Sequence, residues 1–144
     1  MKFFSASIAT LLIAASATVS AQPAAGVPSG TPLRPSVLAG DTLYVSGALD
    51  TDAQGNVGKN AEESAKFALD NVKKNLEAQG FTMDDLVQVT IFCTDLSYFA
   101  DFNKVYLTYF KNHDKMPARA FIGAGSLLRG GHFEVMGIAV KGHK

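Results

Sequence analysis

The sequence predicts an α+β fold, a two-layer sandwich with two helices on one face of a mixed five- to six-stranded sheet. Three observations lead there. Two segments, near residues 60–80 and 95–110, repeat apolar residues at 3–4 spacing. The intervening runs are short, rich in β-formers and bounded by turn residues. The order β, (β), α, β, α, β, β shows no internal repeat and no linker, so one helix layer against one sheet is the economical packing.

The chain opens with "MKFFSASIATLLIAASATVSAQ", a basic start at Lys2, a short apolar core and small residues Val19-Ser20-Ala21 before Gln22. That pattern predicts a secretory signal peptide over residues 1–21, cleaved after Ala21, and a periplasmic or secreted protein. Residues 22–31 are a Pro/Gly/Ser/Ala lead without periodicity, expected to be flexible, and residues 32–144 make one domain. A turn at Gly40-Asp41 precedes a strand at Thr42–Ser46. The polar, glycine-marked loop "DTDAQGNVGKN" follows.

Asn60 and Glu63 form a capping-box-like pair at the start of the first helix. Ala61, Ala65, Ala68, Leu69, Val72 and Leu76 supply its stripe, and Gly80 its stop. Lys66, Asp70, Lys73, Lys74 and Glu77 mark the solvent side. "DDLVQVTIFCT" predicts a strand with Val87, Val89 and Ile91 on one face and Leu86, Gln88, Thr90 and Phe92 on the other. The second helix starts near Asp95 or Ser97, either of which can cap, and its aromatic stripe Phe99, Phe102, Tyr106, Phe110 is assigned to packing on the sheet. Two strands close the chain, Ala118–Gly123 and His132–Val140. In the second, Phe133, Val135, Gly137 and Ala139 oppose His132, Glu134, Met136, Ile138 and Val140. Helices cover one sheet face only; an apolar second face would have to bury against another copy.

Composition removes several classes of function. With 13 basic and 13 acidic residues there is no electrostatic footprint for nucleic acid or a membrane surface. The lone cysteine, Cys93, excludes an intrachain disulfide and is assigned to a buried, inert thiol. No dinucleotide, phosphate-loop, zinc-protease or nucleophile-elbow motif occurs, and His113, His132 and His143 are too scattered to suggest a metal.

Two residues remain, Arg119 and Glu134, each a charge inside an apolar strand. They could pair with one another, or lie at solvated strand ends. Alternatively, an arginine beside a glutamate in a water-poor cleft suits a small anion: the planar guanidinium grips a carboxylate through two parallel hydrogen bonds. The glutamate can then position or deprotonate a water.

"LYVSG", the long segment "NVKKNLEAQGFTMDDLVQVTIFCTDLSYFADFNKVYLTYF", "PARA" and "FEVMGIAVKG" together resemble the YjgF/RidA family of imine/enamine deaminases, collinearly from Pro32 to Gly142. The resemblance implies a chorismate-mutase-like fold and a homotrimer with a central barrel, outer helices and clefts between subunits. It implies hydrolysis of 2-imino or enamine acids to 2-keto acids and ammonia, without cofactor or metal. Arg119 matches the arginine that clasps the substrate carboxylate, and Glu134 the glutamate associated with the attacking water. Asn103, the main chain at Phe121, and Ser46-Gly47 match further substrate-binding positions.

The sequence departs from the family at three of these places. Thr31-Pro32-Leu33 stands where active members often have Gly-Pro-Tyr, so Leu33 replaces a pocket phenol. Ser46-Gly47 is followed by Ala48-Leu49-Asp50 rather than Gln-Ile-Pro. Phe121 stands where a small residue or cysteine is frequent, and its ring is expected to reshape the cleft. These changes leave a non-catalytic trimer that binds small metabolites as the main alternative, with a holdase acting through exposed apolar surface as a weaker one.

Overall fold

In a computed structural model, which describes residues 33–142, the chain forms five strands and two α-helices. The predicted signal peptide and the flexible lead lie outside the described residues, as does His143. Among the described residues no helix is long and apolar enough to cross a membrane.

Strand β1 (Ser36–Ala39) turns back through Gly40-Asp41 into β2 (Thr42–Leu49), which runs three residues beyond its predicted end. It does so by way of a register shift between Val45 and Ala48, which leaves Ser46 and Gly47 at the irregularity. Helix α1 (Ala61–Glu77) begins as the sequence implies, with the Asn60 side chain accepting the Glu63 N–H at 2.9 Å. Glu63 returns its carboxylate to the N–H of Lys59 rather than to that of Asn60. Gly80, in the left-handed region at φ 73°, ends the helix, and the Phe81 N–H closes back onto the Leu76 carbonyl. Every residue of the predicted stripe is buried.

Strand β3 (Leu86–Cys93) leads through a 3₁₀ turn to α2 (Phe99–Tyr106), then to β4 (Ala118–Gly123) and β5 (Phe133–Val140). The sheet order is β1-β2-β5-β3-β4, with β3 and β4 parallel and the other pairs antiparallel. β5 therefore inserts between β2 and β3, which α1 connects as a split β-α-β unit. Both helices pack on one face, so the α+β two-layer architecture is the one observed, with five strands.

The strict alternation expected for β3 fails at its start. A shift in the β3–β5 register between Leu86 and Gln88 places Leu86 in the core with Val89, Ile91 and Cys93, while Val87 is half-buried. One extra residue in a strand flips the parity of everything before it, and the sequence alone carries no mark of that slip. In β5 the alternation holds: Phe133, Val135, Gly137 and Ala139 are buried against the helices. The opposite face presents Val37, Tyr44, Ile122 and Met136, all well exposed in the single chain, together with the half-buried Phe92 and Ile138.

A candidate site built from two halves

Arg119 lies on β4, the edge strand, directly across from Val89 of β3. Val89 faces the helices and in-register neighbours share a face, so Arg119 also points toward the helix layer. There its Nη1–H donates to the Asn103 side-chain oxygen of α2 at 2.6 Å. Its guanidinium carbon sits 4.9 Å from the Tyr106 ring centre and 5.6 Å from that of Phe99. The aromatic stripe assigned to packing is thus divided between two roles. Phe102, Tyr106 and Phe110 fill the core, and Tyr106 together with the more exposed Phe99 also forms a bed for the cation.

Among the described residues no carboxylate pairs with Arg119, and its one hydrogen bond goes to a neutral amide. The simple Arg119–Glu134 ion pair, one reading of the sequence, is therefore absent. The environment is a preorganised cation with most of its five N–H donors uncommitted. Burial pushes the Tyr106 hydroxyl up to about 12, an effect the nearby Arg119 charge partly opposes. That phenol is buried without a hydrogen-bond partner among the described residues.

Phe121 shares the helix-facing side of β4 with Arg119. The ring packs edge-on to Phe99 at 5.1 Å and Phe102 at 5.5 Å, and completes an aromatic layer with Phe133. The ring is half-buried and rests against the edge of the core.

Glu134 belongs to the other face. It pairs with Leu49 of β2 and Phe92 of β3, an odd number of residues from Gly137, which aligns with Val89 and hence with Arg119. Odd separation in a strand means opposite faces. Arg119 and Glu134 of one chain are therefore separated by their own sheet. The Glu134 carboxylate lies directly over Gly47: a Cβ there would come within 2.1 Å of Oε1. No hydrogen bond or ion pair engages this carboxylate among the described residues. Ser46, adjoining Gly47, donates its hydroxyl to the Arg34 carbonyl at 2.6 Å and so ties the segment carrying the exposed Leu33 to the same end of the sheet.

The predicted positions thus fall into two groups. Arg119, Asn103 and Phe121 cluster on the helix side of the β4 edge; Glu134, Gly47, Ser46 and, through Arg34, Leu33 gather where β2 bulges against β5. The sequence did not disclose this division, nor the Phe99 and Tyr106 bed, nor a buried contact of Asp50 with His132 at 3.5 Å. Cys93 is buried, burial pushes its thiol up, and its Sγ donates to the Asp95 carbonyl, all features of an inert thiol. Among the described residues no three His, Cys, Asp or Glu side chains are grouped to hold a metal ion.

Comparison with known proteins agrees with this fold. The family model described as Endoribonuclease L-PSP matches residues 26–141. A RutC family protein of Saccharolobus solfataricus is 40% identical over 112 residues, covering 76% of this chain and 87% of its own. The 2-iminobutanoate/2-iminopropanoate deaminase of Bos taurus is 37% identical over 113 residues, covering 77% and 81%. A crystal structure of E. coli TdcF with bound serine superposes with a TM-score of 0.72 at 30% identity, covering 77% of this chain and 89% of that one. On the extent of the family match and the identities of these relatives, the chain belongs to the Endoribonuclease L-PSP family, the YjgF/RidA family.

Proposed function

We propose that the protein hydrolyses reactive 2-imino and enamine acids to 2-keto acids and ammonia, in a cleft formed where copies of the chain meet. The observation that carries this reading is the state of Arg119: a cation fixed by Asn103 and two aromatic rings, with no acid among the described residues to neutralise it. Such a fork suits a carboxylate and orients it through paired hydrogen bonds. The deaminase name carried by the Bos taurus relative, and the amino acid bound in TdcF, support a small α-substituted carboxylate as ligand.

Because Arg119 and Glu134 occupy opposite faces of one sheet, a site using both requires a second copy. A homotrimer supplies it. Burying the apolar open face around Val37, Tyr44, Ile122 and Met136 favours association, and cyclic closure brings the Glu134 half of one copy to the Arg119 half of its neighbour. With the carboxylate gripped, Glu134 takes a proton from water as its oxygen adds to the C=N carbon. Glu134 returns that proton to nitrogen, and as the C–N bond of the carbinolamine breaks it accepts the hydroxyl proton, leaving the 2-keto acid and ammonia. The balance needs only water, so no cofactor enters. The signal-like residues 1–21 support export, which places the imines outside the cytoplasm.

The test couples mature protein to an amino-acid oxidase and follows the decay of 2-iminopropanoate formed from alanine. Wild type accelerates the decay; Arg119→Ala and Glu134→Gln abolish the acceleration. Equal rates for wild type and Arg119→Ala would sink the proposal. Leu33, 76% exposed where active relatives often have a tyrosine, favours a second reading as a non-catalytic binder of the same anions. Thermal stabilisation by 2-keto acids without any turnover would select it.

A further inference from the structure

Asp50 has no part in the site described so far, yet it is fully buried, at 0% exposure. Its backbone N–H donates to the Phe133 carbonyl at 3.2 Å. Its Oδ2 accepts the His132 N–H at 2.8 Å, 82 residues away in sequence. The same oxygen is 3.5 Å from the His132 Nδ1, and that nitrogen is 3.1 Å from the Oγ of Ser64, itself buried in α1. The Tyr98 ring stands edge-on to the imidazole, and the His132 carbonyl accepts the Thr94 N–H from the end of β3. Among the described residues Oδ1 has no partner, and space for it exists only because residue 131 is glycine: a Cβ there would approach within 2.4 Å.

A buried carboxylate with one oxygen unpartnered is costly, and an apolar residue just after β2 would cap the core without that cost. What the carboxylate does instead is tie the first residues of β5 to the last of β2. Leu49, immediately before Asp50, pairs with Glu134, two residues after His132. Two carboxylates thus lie over two glycines where β2 ends and β5 begins, Asp50 over Gly131 and Glu134 over Gly47.

We propose that Asp50 is a positioning residue: the clamp from its carboxylate to His132, backed by Ser64, sets the entry of β5 and thereby the place of the Glu134 carboxylate above Gly47. The inference rests on the deaminase reading for its kinetic consequence but not for its structural one. Glu134 serves the chemical step and Arg119, on another strand and face, serves binding, so loosening the clamp acts on kcat and spares KM.

The experiment compares wild type with Asp50→Ala and Asp50→Asn, in 2-iminopropanoate hydrolysis and in amide hydrogen exchange. Asp50→Ala is expected to lower kcat about tenfold with KM within about twofold of wild type, since small misplacement of a reacting group is costly. Asp50→Asn, which keeps an acceptor for the His132 N–H, recovers most of kcat. Exchange at His132, Phe133 and Glu134 rises selectively in Asp50→Ala, while exchange in α1 and at Arg119 stays at the wild-type level. That selective rise is expected even if wild type shows no turnover, which separates failure of the deaminase reading from failure of this one. Unchanged exchange at 132–134, parallel losses in kcat and KM, or failure of both variants to fold would overturn the positioning role.

Discussion

Gly47→Ala tests the Glu134 half of the site without touching a charge. The new methyl carbon would lie 2.1 Å from Oε1, 2.9 Å from Cδ and 3.1 Å from Cγ of Glu134. Ordinary contact between heavy atoms lies near 3.5 Å, so the carboxylate must retreat by roughly 1 Å or more. The obstacle is the far end of a flexible side chain, so the backbone has no need to move. A forced rotamer change costs about 0.5–1.5 kcal/mol and is the main charge against stability. Displacing a catalytic carboxylate by about 1 Å, by contrast, removes one to two orders of magnitude in rate. The assay is steady-state 2-iminopropanoate hydrolysis beside thermal unfolding and size-exclusion chromatography at matched concentration. The expected result is an intact oligomer with nearly unchanged stability and kcat reduced about 10- to 100-fold. Full kcat in a correctly assembled Gly47→Ala protein would refute the placement of Glu134 over that glycine as the working geometry.

Other outcomes follow from the Arg119 half. Arg119→Lys keeps the charge but loses the planar fork and its stacking on Phe99 and Tyr106, so kcat/KM falls at least about tenfold rather than being preserved, as measured in the same assay. Tyr106→Phe removes a buried hydroxyl that has no partner among the described residues and should raise unfolding stability by about 1 kcal/mol, measured by denaturant titration. Burial holds the hydroxyl up to about 12 in the folded state against an ordinary value near 10, so its ionisation leaves stability untouched below pH 10 and lowers it as pH rises through about 12. Wild type therefore loses more stability than Tyr106→Phe between those two values. Phe121→Ala leaves a void among Phe99, Phe102 and Phe133 and costs about 2–4 kcal/mol of stability, whereas a ring that blocked the cleft would instead yield higher activity on removal.

What could be seen in the sequence was whatever neighbours along the chain decide. Helix α1 announced itself through its stripe, the Asn60 cap and the Gly80 stop, because each is fixed within a turn or two. The alternation of β5 likewise assigned Glu134 to the face opposite Phe133. Pairing register is not local. Nothing near Val87 predicts the slip that buries Leu86, and the opposition of Arg119 to Glu134 depends on how β4 and β5 both align with β3. The family resemblance named Arg119 and Glu134, but that one chain keeps them on opposite faces of its sheet appears only in the fold. Asp50 and His132 were visible only as a departure from pattern and a lone histidine; their contact spans 82 positions and needed the folded chain. The place of the Phe121 ring is not legible in the sequence, because a large side chain next to a site residue reads the same whether it enters the cleft or turns into the core.

The central claim is that each working site draws Arg119 from one copy and Glu134 from its neighbour, and subunit mixing tests it most directly. Arg119→Ala and Glu134→Gln proteins, each inactive alone, are unfolded together and refolded as a one-to-one mixture. If the two halves meet across a cyclic interface, one arrangement in four restores both residues, so activity returns to about a quarter of the wild-type level. A mixture as inactive as its parents, despite confirmed mixed oligomers, would contradict the account.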